Sequence, residues 1–203
     1  MKRYWSLLIP MTVALVIVGC GIFGGEDYYP LKVGNQWKYE GYMARVISDT
    51  VQDTLYTMTF EHTIARKFRD TIRNIDVYMR ANVNTIHYLP PYYTDSTVTT
   101  VDSTQIYQLG DTLFFDNTPA LVYPLEVNKT WHDSTYKVLA KEDLTVPAGT
   151  YRNCWKIQYV PAGGDDTTYY WYKDGVGLIK VDSKMNIFGY PFRLMWHLIQ
   201  TNL

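Results

Sequence analysis

The sequence predicts an all-β protein: a curved antiparallel sheet, half-barrel or barrel, built from two half-repeats after an N-terminal signal helix. Three observations predict it. One nine-residue stretch occurs twice: Tyr29-Pro30-Leu31-Lys32-Val33-Gly34-Asn35-Gln36-Trp37 returns as Tyr123-Pro124-Leu125-Glu126-Val127-Asn128-Lys129-Thr130-Trp131, with five of nine positions identical. The separation is too long for a solenoid period and suits two half-domains of one β fold. Apolar residues alternate with period two, and no stretch after the signal segment has good helical periodicity. Tyrosine, at 19 residues, and threonine are abundant, and both suit strands with one wet face.

The repeated stretch has its own physical logic. Proline fixes φ and removes a donor, so Tyr-Pro-Leu is an extended lead-in that cannot sit in the middle of a sheet. Gly34-Asn35 and Asn128-Lys129 tolerate positive φ and read as turns. Each tryptophan then opens a strand. These segments read as plugs for the end of a core; the alternative is that they line a ligand mouth.

Taken in order, Trp37 to Ser48 is a strand, and a turn follows. Leu55 to Lys67 alternates well, with Tyr56, Met58, Phe60, His62 and Ile64 on one face. Phe68 to Thr71 turns the chain. Ile72 to Val83 returns, with Ile75, Val77, Met79 and Ala81 opposite Asn74, Asp76 and Arg80. Asn84 to Leu89 is a further short strand, and Pro90 to Tyr93 a loop or edge bulge. Thr94 to Leu109 is polar on both parities and reads as an exposed or edge strand pair. Leu113 to Phe115 is short and apolar, and Asn117-Thr118-Pro119 leads into the second motif.

Beyond Trp131, Tyr136 to Val146 and Tyr151 to Val160 form a hairpin around Pro147-Ala148. Cys154 falls on the polar parity unless a bulge intervenes. Thr167 to Lys173 is an aromatic strand, Gly175-Val176-Gly177 a bulge or tight turn, and Leu178 to Val181 and Pro191 to Gln200 are the last strands.

The start of the chain carries the clearest functional signal. Lys2 and Arg3 precede an apolar run, Trp5 to Val18, that is short for a membrane-spanning helix and suited to a signal peptide. It ends in Ile17-Val18-Gly19-Cys20, which resembles the bacterial lipobox, with isoleucine where leucine is commonest. The resemblance implies cleavage before Cys20 and acylation of that residue, as by palmitate. Two or three acyl chains anchor stably where one is marginal. Gly21 in place of aspartate implies outer-membrane delivery where the enterobacterial sorting rule applies. The domains are then residues 1–19 as signal peptide, 20–27 as lipidated cysteine and flexible tether, and 28–203 as one β domain, with half-repeats at about 28–116 and 122–203. At roughly 3.5 Å per residue the tether reaches about 25 Å. The domain therefore works close to a bilayer, in the periplasm or at the cell surface.

Composition excludes some classes and leaves others. A net charge of −1 gives no electrostatic case for nucleic acid. With Cys20 committed to lipid, Cys154 has no partner and reads as a structural free thiol. No nucleophile elbow, zinc motif or phosphate loop is present. Scattered aspartates mark turns and do not cluster at calcium-ligand spacing. His62, on an apolar parity, reads as a core histidine. Glu61 and Asp76 could meet as an acid–base pair on neighbouring strands, as such pairs do in many β proteins. Arg66, Lys67, Arg69 and Arg73 form one basic cluster at a hairpin end, solvated or against anionic headgroups.

Three motifs together carry a resemblance: the PLxxGxxW opening, Val146-Pro147-Ala148-Gly149-Thr150-Tyr151, and Gly175-Val176-Gly177-Leu178-Ile179-Lys180. The chain resembles a broad group of uncharacterised bacterial lipoproteins over most of its mature length. The resemblance implies a curved antiparallel sheet or half-barrel and brings no catalytic residue.

The expectation is therefore a membrane-anchored envelope lipoprotein that is not an enzyme and uses no cofactor or metal. Its domain acts as an interaction or scaffold module for an envelope protein. The alternative is a binder or carrier of lipid or another apolar ligand on a concave aromatic face, with Trp37, Tyr39, Phe60, Trp131, Trp155 and Trp171 as lining. A filled core with an exposed edge favours the first; a wide cavity favours the second.

Overall fold

A computed structural model describes residues 27–48, 50–164 and 166–203. The signal segment, Cys20 and the tether before Asp27 lie outside the described residues. The rest is all β, in twelve strands. The first six are β1 (Gln36–Val46), β2 (Gln52–Asp70), β3 (Ile75–Tyr88), β4 (Ser96–Leu109), β5 (Thr112–Phe115) and β6 (Thr118–Val122). The second six are β7 (Thr130–Trp131), β8 (Tyr136–Val146), β9 (Gly149–Tyr159), β10 (Thr167–Lys173), β11 (Gly177–Ile187) and β12 (Tyr190–Thr201).

All strands belong to one antiparallel sheet ordered β6-β5-β4-β3-β2-β1-β12-β11-β10-β9-β8-β7. Each half of the chain is thus a six-stranded meander. The halves join where the first strand pairs with the last, Trp37 opposite Thr201 and Arg45 opposite Phe192. The sheet curls into a nearly closed barrel whose two edges, β6 and β7, do not pair with each other. Gly41 marks the tightest approach at the β1/β12 join: a Cβ there would overlap the Met195 carbonyl and the Cβ of Trp196.

The two copies of the repeated motif make the same backbone bonds. Gly34 has φ +96 and Asn128 φ +71, the left-handed conformation their residue types suggest. Asn35 N–H donates to Lys32 O at 3.0 Å, and Lys129 N–H to Glu126 O at 3.0 Å. Gly34 and Asn35 bridge to Ile64, as Asn128 and Lys129 bridge to Val138. Each copy also ties back to its own proline: Asn35 Nδ2 donates to Pro30 O at 2.9 Å, and Lys129 Nζ to Pro124 O at 2.9 Å.

Several elements differ from expectation. β2 runs on to Asp70, β11 to Ile187, and β3 and β4 are each one continuous strand. β3 stays whole because both neighbours pair with it to its end, Tyr56 and Ser96 flanking Tyr88. The larger correction concerns which face of β3 points inward. Arg80 and Asn82 lie on the core side, bonded to Tyr29 and to one another, while Val77 is buried between Phe68 and Tyr107 on the other face. The alternation is present, but part of the barrel interior is polar, so the apolar parity faces outward here.

Cys154 is fully buried. The β8–β9 register breaks near it, and Asn153 adopts φ +57 with its N–H held by Asp143. That is the bulge on which its burial depended.

Candidate functional site

The end of the barrel that receives the N-terminal segment is plugged. Tyr28 and Tyr29 are 1% and 2% exposed. Tyr29 stacks on Trp37 and meets Phe115 edge-on, and Tyr28 stacks on Tyr123. Gly175 N–H donates to Asp27 O at 2.7 Å and fixes the entry of the chain. Gly177, with φ +102, lies against Trp37 and Tyr29, where a side chain would crowd the plug.

The aromatic residues singled out from the sequence divide into groups. Trp37, Tyr39 and Trp155 belong to the plugged end, and their polar atoms are used internally. Trp37 Nε1 donates to Val176 O (2.6 Å), Tyr39 O–H to Leu178 O (3.1 Å) and Trp155 Nε1 to Tyr28 Oη (2.7 Å). Phe60 is half-buried on the same inner face, against Trp196 and His62. Trp131 stands on edge strand β7, stacked on Tyr136. Trp171 is elsewhere: it faces away from Tyr170 and Tyr172, opposite Lys156 and Lys180, whose ammonium groups lie 5.0 Å from its ring. Its N–H donates to Glu142 (2.6 Å). Charged stems, not a ligand cavity, cover it.

A polar stripe crosses the interior next to the plug. Arg80 donates to Tyr29 Oη (2.9 Å), Asn82 Oδ1 (2.7 Å) and Thr104 Oγ1 (3.3 Å), and sits over the Phe115 ring. Asn82 links onward to Asp102, which also accepts from Asn84. Among the described residues Arg80 makes no ion pair. His62, one strand away, packs on Tyr39, and its Nδ1 has no hydrogen-bond partner among the described residues. Burial, with the Arg80 charge added, pushes its pKa down to about 3, so the ring is neutral at ordinary pH.

A groove of about 1400 Å³ lies outside the plug. Its floor is apolar, with Tyr29, Leu31, Leu113 and Leu125, and its rim includes Asp27, Arg69 and Asp111. Sequence reasoning missed it because β2–β3, β4–β5 and the second motif contribute to it from distant positions.

Another open feature is an edge. β4 pairs with β3 along Ser96–Tyr107 but with β5 only from Ile106 onward. Ser96–Ser103 therefore has a strand on one side alone, and all eight residues are exposed. Val101 is 74% exposed.

The remaining titratable groups serve local structure. Glu61 pairs with Lys38 (2.6 Å), whereas Asp76 pairs with Lys67 (2.7 Å) and Arg69 (3.1 Å), so the two acids do not meet. Those pairs and Arg73–Asp70 also occupy most of the basic cluster. Burial raises the Cys154 thiol to about 11, the environment of an inert thiol.

No protein-family model and no curated protein matches the chain. Two solved structures are similar to it. A candidate lipoprotein from Parabacteroides distasonis shares the fold with a TM-score of 0.56 at 12% identity, over 87% of this chain and 99% of that one. A candidate exported protein with a YmcC-like fold from Bacteroides fragilis aligns with a TM-score of 0.46 at 10% identity, over 88% and 100%.

Proposed function

We propose that the protein is a membrane-anchored cell-envelope lipoprotein, held by acyl chains on Cys20, whose β domain acts as a non-enzymatic interaction or scaffold module, with the outer membrane as its site. The observation that carries this reading is the filled aromatic end. Trp37, Tyr39 and Trp155 make their hydrogen bonds inside the protein, and Tyr28 and Tyr29 are buried against Trp155 and Trp37. The exposed β4 edge is then an unsatisfied surface open to a partner. The lipobox supports anchoring, and a short tether leading to Asp27 supports an orientation with the plugged end toward the membrane.

The first test is metabolic labelling of the full-length protein with radioactive palmitate, followed by membrane fractionation. The wild type is expected to be labelled and membrane-bound, and Cys20→Ala unlabelled. An unlabelled wild type would overturn the anchor.

A second reading rests on the groove. Its apolar floor and size suit an acyl chain or another apolar ligand. Native mass spectrometry of the lipidated protein in mild detergent separates the two. Added mass beyond the anchor, extractable into organic solvent, favours a carrier; the anchored mass alone favours the interaction module.

A further inference from the structure

We propose that the free edge of β4, Ser96–Ser103, receives an extended segment of a partner polypeptide, which joins the sheet as an added strand and places a basic residue opposite Asp102. This rests on the reading of the protein as an anchored interaction module and names where, and how, it would bind.

An unpaired strand edge presents N–H and C=O groups to any extended chain, and proteins ordinarily blunt such edges with lysine, proline, a bulge or a covering loop. Ser96-Thr97-Val98-Thr99-Thr100-Val101-Asp102-Ser103 has none of these. It contains no proline or cation, its pairing with β3 is regular throughout, and all eight residues are exposed. Threonine and valine make it a strong strand former. The opposite edge differs: β7 and the backbone of Asn128 and Lys129 cover β8 only to Val138, and the uncovered remainder of β8 carries Lys141 and two register shifts against β9. In strand addition, backbone bonds supply affinity and alternate side chains supply selection. Here Val98 and Asp102 share one face of the strand. The only charges from Thr94 to Ser103 are Asp95 and Asp102, and the Asp102 carboxylate is met by the neutral amides of Asn82 and Asn84. An acidic edge without a cation of its own selects a basic partner.

A second copy of this chain fits less well. Two-fold pairing of the same edge within a continuous sheet must be antiparallel, because the axis lies normal to the sheet. The Ser96 end of β4 is distant from Asp27, whereas Gln108 lines the groove beside it. The span from Thr99 to Gln108 is about 30 Å at 3.3 Å per residue. Antiparallel pairing would place the two tether ends roughly 60 Å apart and pointing oppositely, beyond a tether that reaches about 25 Å. Two copies anchored in one membrane with their plugged ends toward it cannot meet this way.

The test places a photo-crosslinking amino acid at Thr97, Thr99 or Val101 of the full-length protein in its own cells, with Ile72, 95% exposed on the β2–β3 turn, as the control position. The expected result is adducts from all three edge positions that map to successive alternate residues of one segment in one partner. Val98→Lys should lower their yield at least tenfold, and Asp102→Lys should do the same until the partner's basic residue is reversed in charge. Val98 is 46% exposed, whereas Asp102 accepts from the buried Asn82, so a thermal melt of Asp102→Lys separates lost binding from lost folding. Adducts of twice the chain's own mass, equal yield at Ile72, or no adduct from edge positions in membrane-bound protein would each overturn the proposal. Failure of the anchor itself reads out separately, as loss of palmitate label with the edge adducts intact.

Discussion

Trp37 and Trp131 hold the same place in two copies of one motif, with the same turn behind them and the same tie to a proline carbonyl. Their surroundings differ. Trp37 opens an eleven-residue strand paired on both sides, is 1% exposed and donates its N–H to Val176. Trp131 closes a two-residue strand at the sheet edge, is 8% exposed, and its N–H has no partner among the described residues. The first copy sits where the barrel is sewn shut and the second where it stays open. A motif specifies its own turn, while neighbouring strands decide how much that turn is worth.

The largest effect that would sharpen this contrast comes from truncation. Trp37→Ala should destabilise by about 3–5 kcal/mol, as burial of a full indole implies, and Trp131→Ala by roughly 2 kcal/mol. Urea unfolding of both variants checks it, and equal losses would break the comparison. Gly41→Ala probes the same closed join without touching the motif. The added methyl meets the β12 backbone, and overpacking of this kind should cost about 3 kcal/mol.

The next contrast is in pH. His62 lies opposite Trp37, whereas the residue opposite Trp131 is Tyr136, which carries no charge change in acid. The folded pKa of His62, about 3, is below the unfolded value of 6.5, so the unfolded chain takes up the proton first. Stability is therefore full above pH 6.5 and is lost on acidification toward pH 3, by about 1.4 kcal/mol per pH unit at most. Unfolding of wild type and His62→Phe between pH 7 and 5 isolates this, since most carboxylates titrate lower. Parallel pH curves would refute the assignment.

Smaller effects follow. Trp37→Phe leaves the Val176 carbonyl unpaired and should cost about 2 kcal/mol, while Trp131→Phe removes an unpaired donor and should fall within about 1 kcal/mol of wild type. At the bottom of the scale, Asn35→Ala and Lys129→Ala each remove a tie to the proline of their own motif, at about 1 kcal/mol. Thermal melts of the pair test whether the ties are equivalent, and Lys129, which also reaches Tyr123 O at 2.8 Å, is expected to lose slightly more.

Much of the architecture was legible because strand alternation and turn chemistry are local. The long alternating run of β2, the β8–β9 hairpin at Pro147-Ala148 and the paired turns at Gly34 and Asn128 all follow from short-range pattern. The candidate site was less legible. The six aromatic residues were chosen as though one concave face held them all, but Trp171 is buried under lysine stems on the face opposite Tyr170 and Tyr172, Trp37 is stacked by Tyr29, and Trp155 is bonded to Tyr28. Arg80 was placed opposite the apolar residues of its strand because parity rules assume an apolar interior. Asn82, Thr104, the Tyr29 hydroxyl and the Phe115 ring together make an inward arginine tenable, and three of the four are far away in sequence.

Sequence alone determined the β class, the duplicated motif and its turns, and the lipobox on which the anchoring proposal rests, because each depends on residues within a few positions of one another. Tertiary structure alone decided that β1 meets β12 and β6 does not meet β7, which strand face is inside, and that the aromatic end is filled while the β4 edge is bare. Those outcomes depend on which strands become neighbours. That is set by the joint closure of a twelve-stranded sheet and is not written in any single segment.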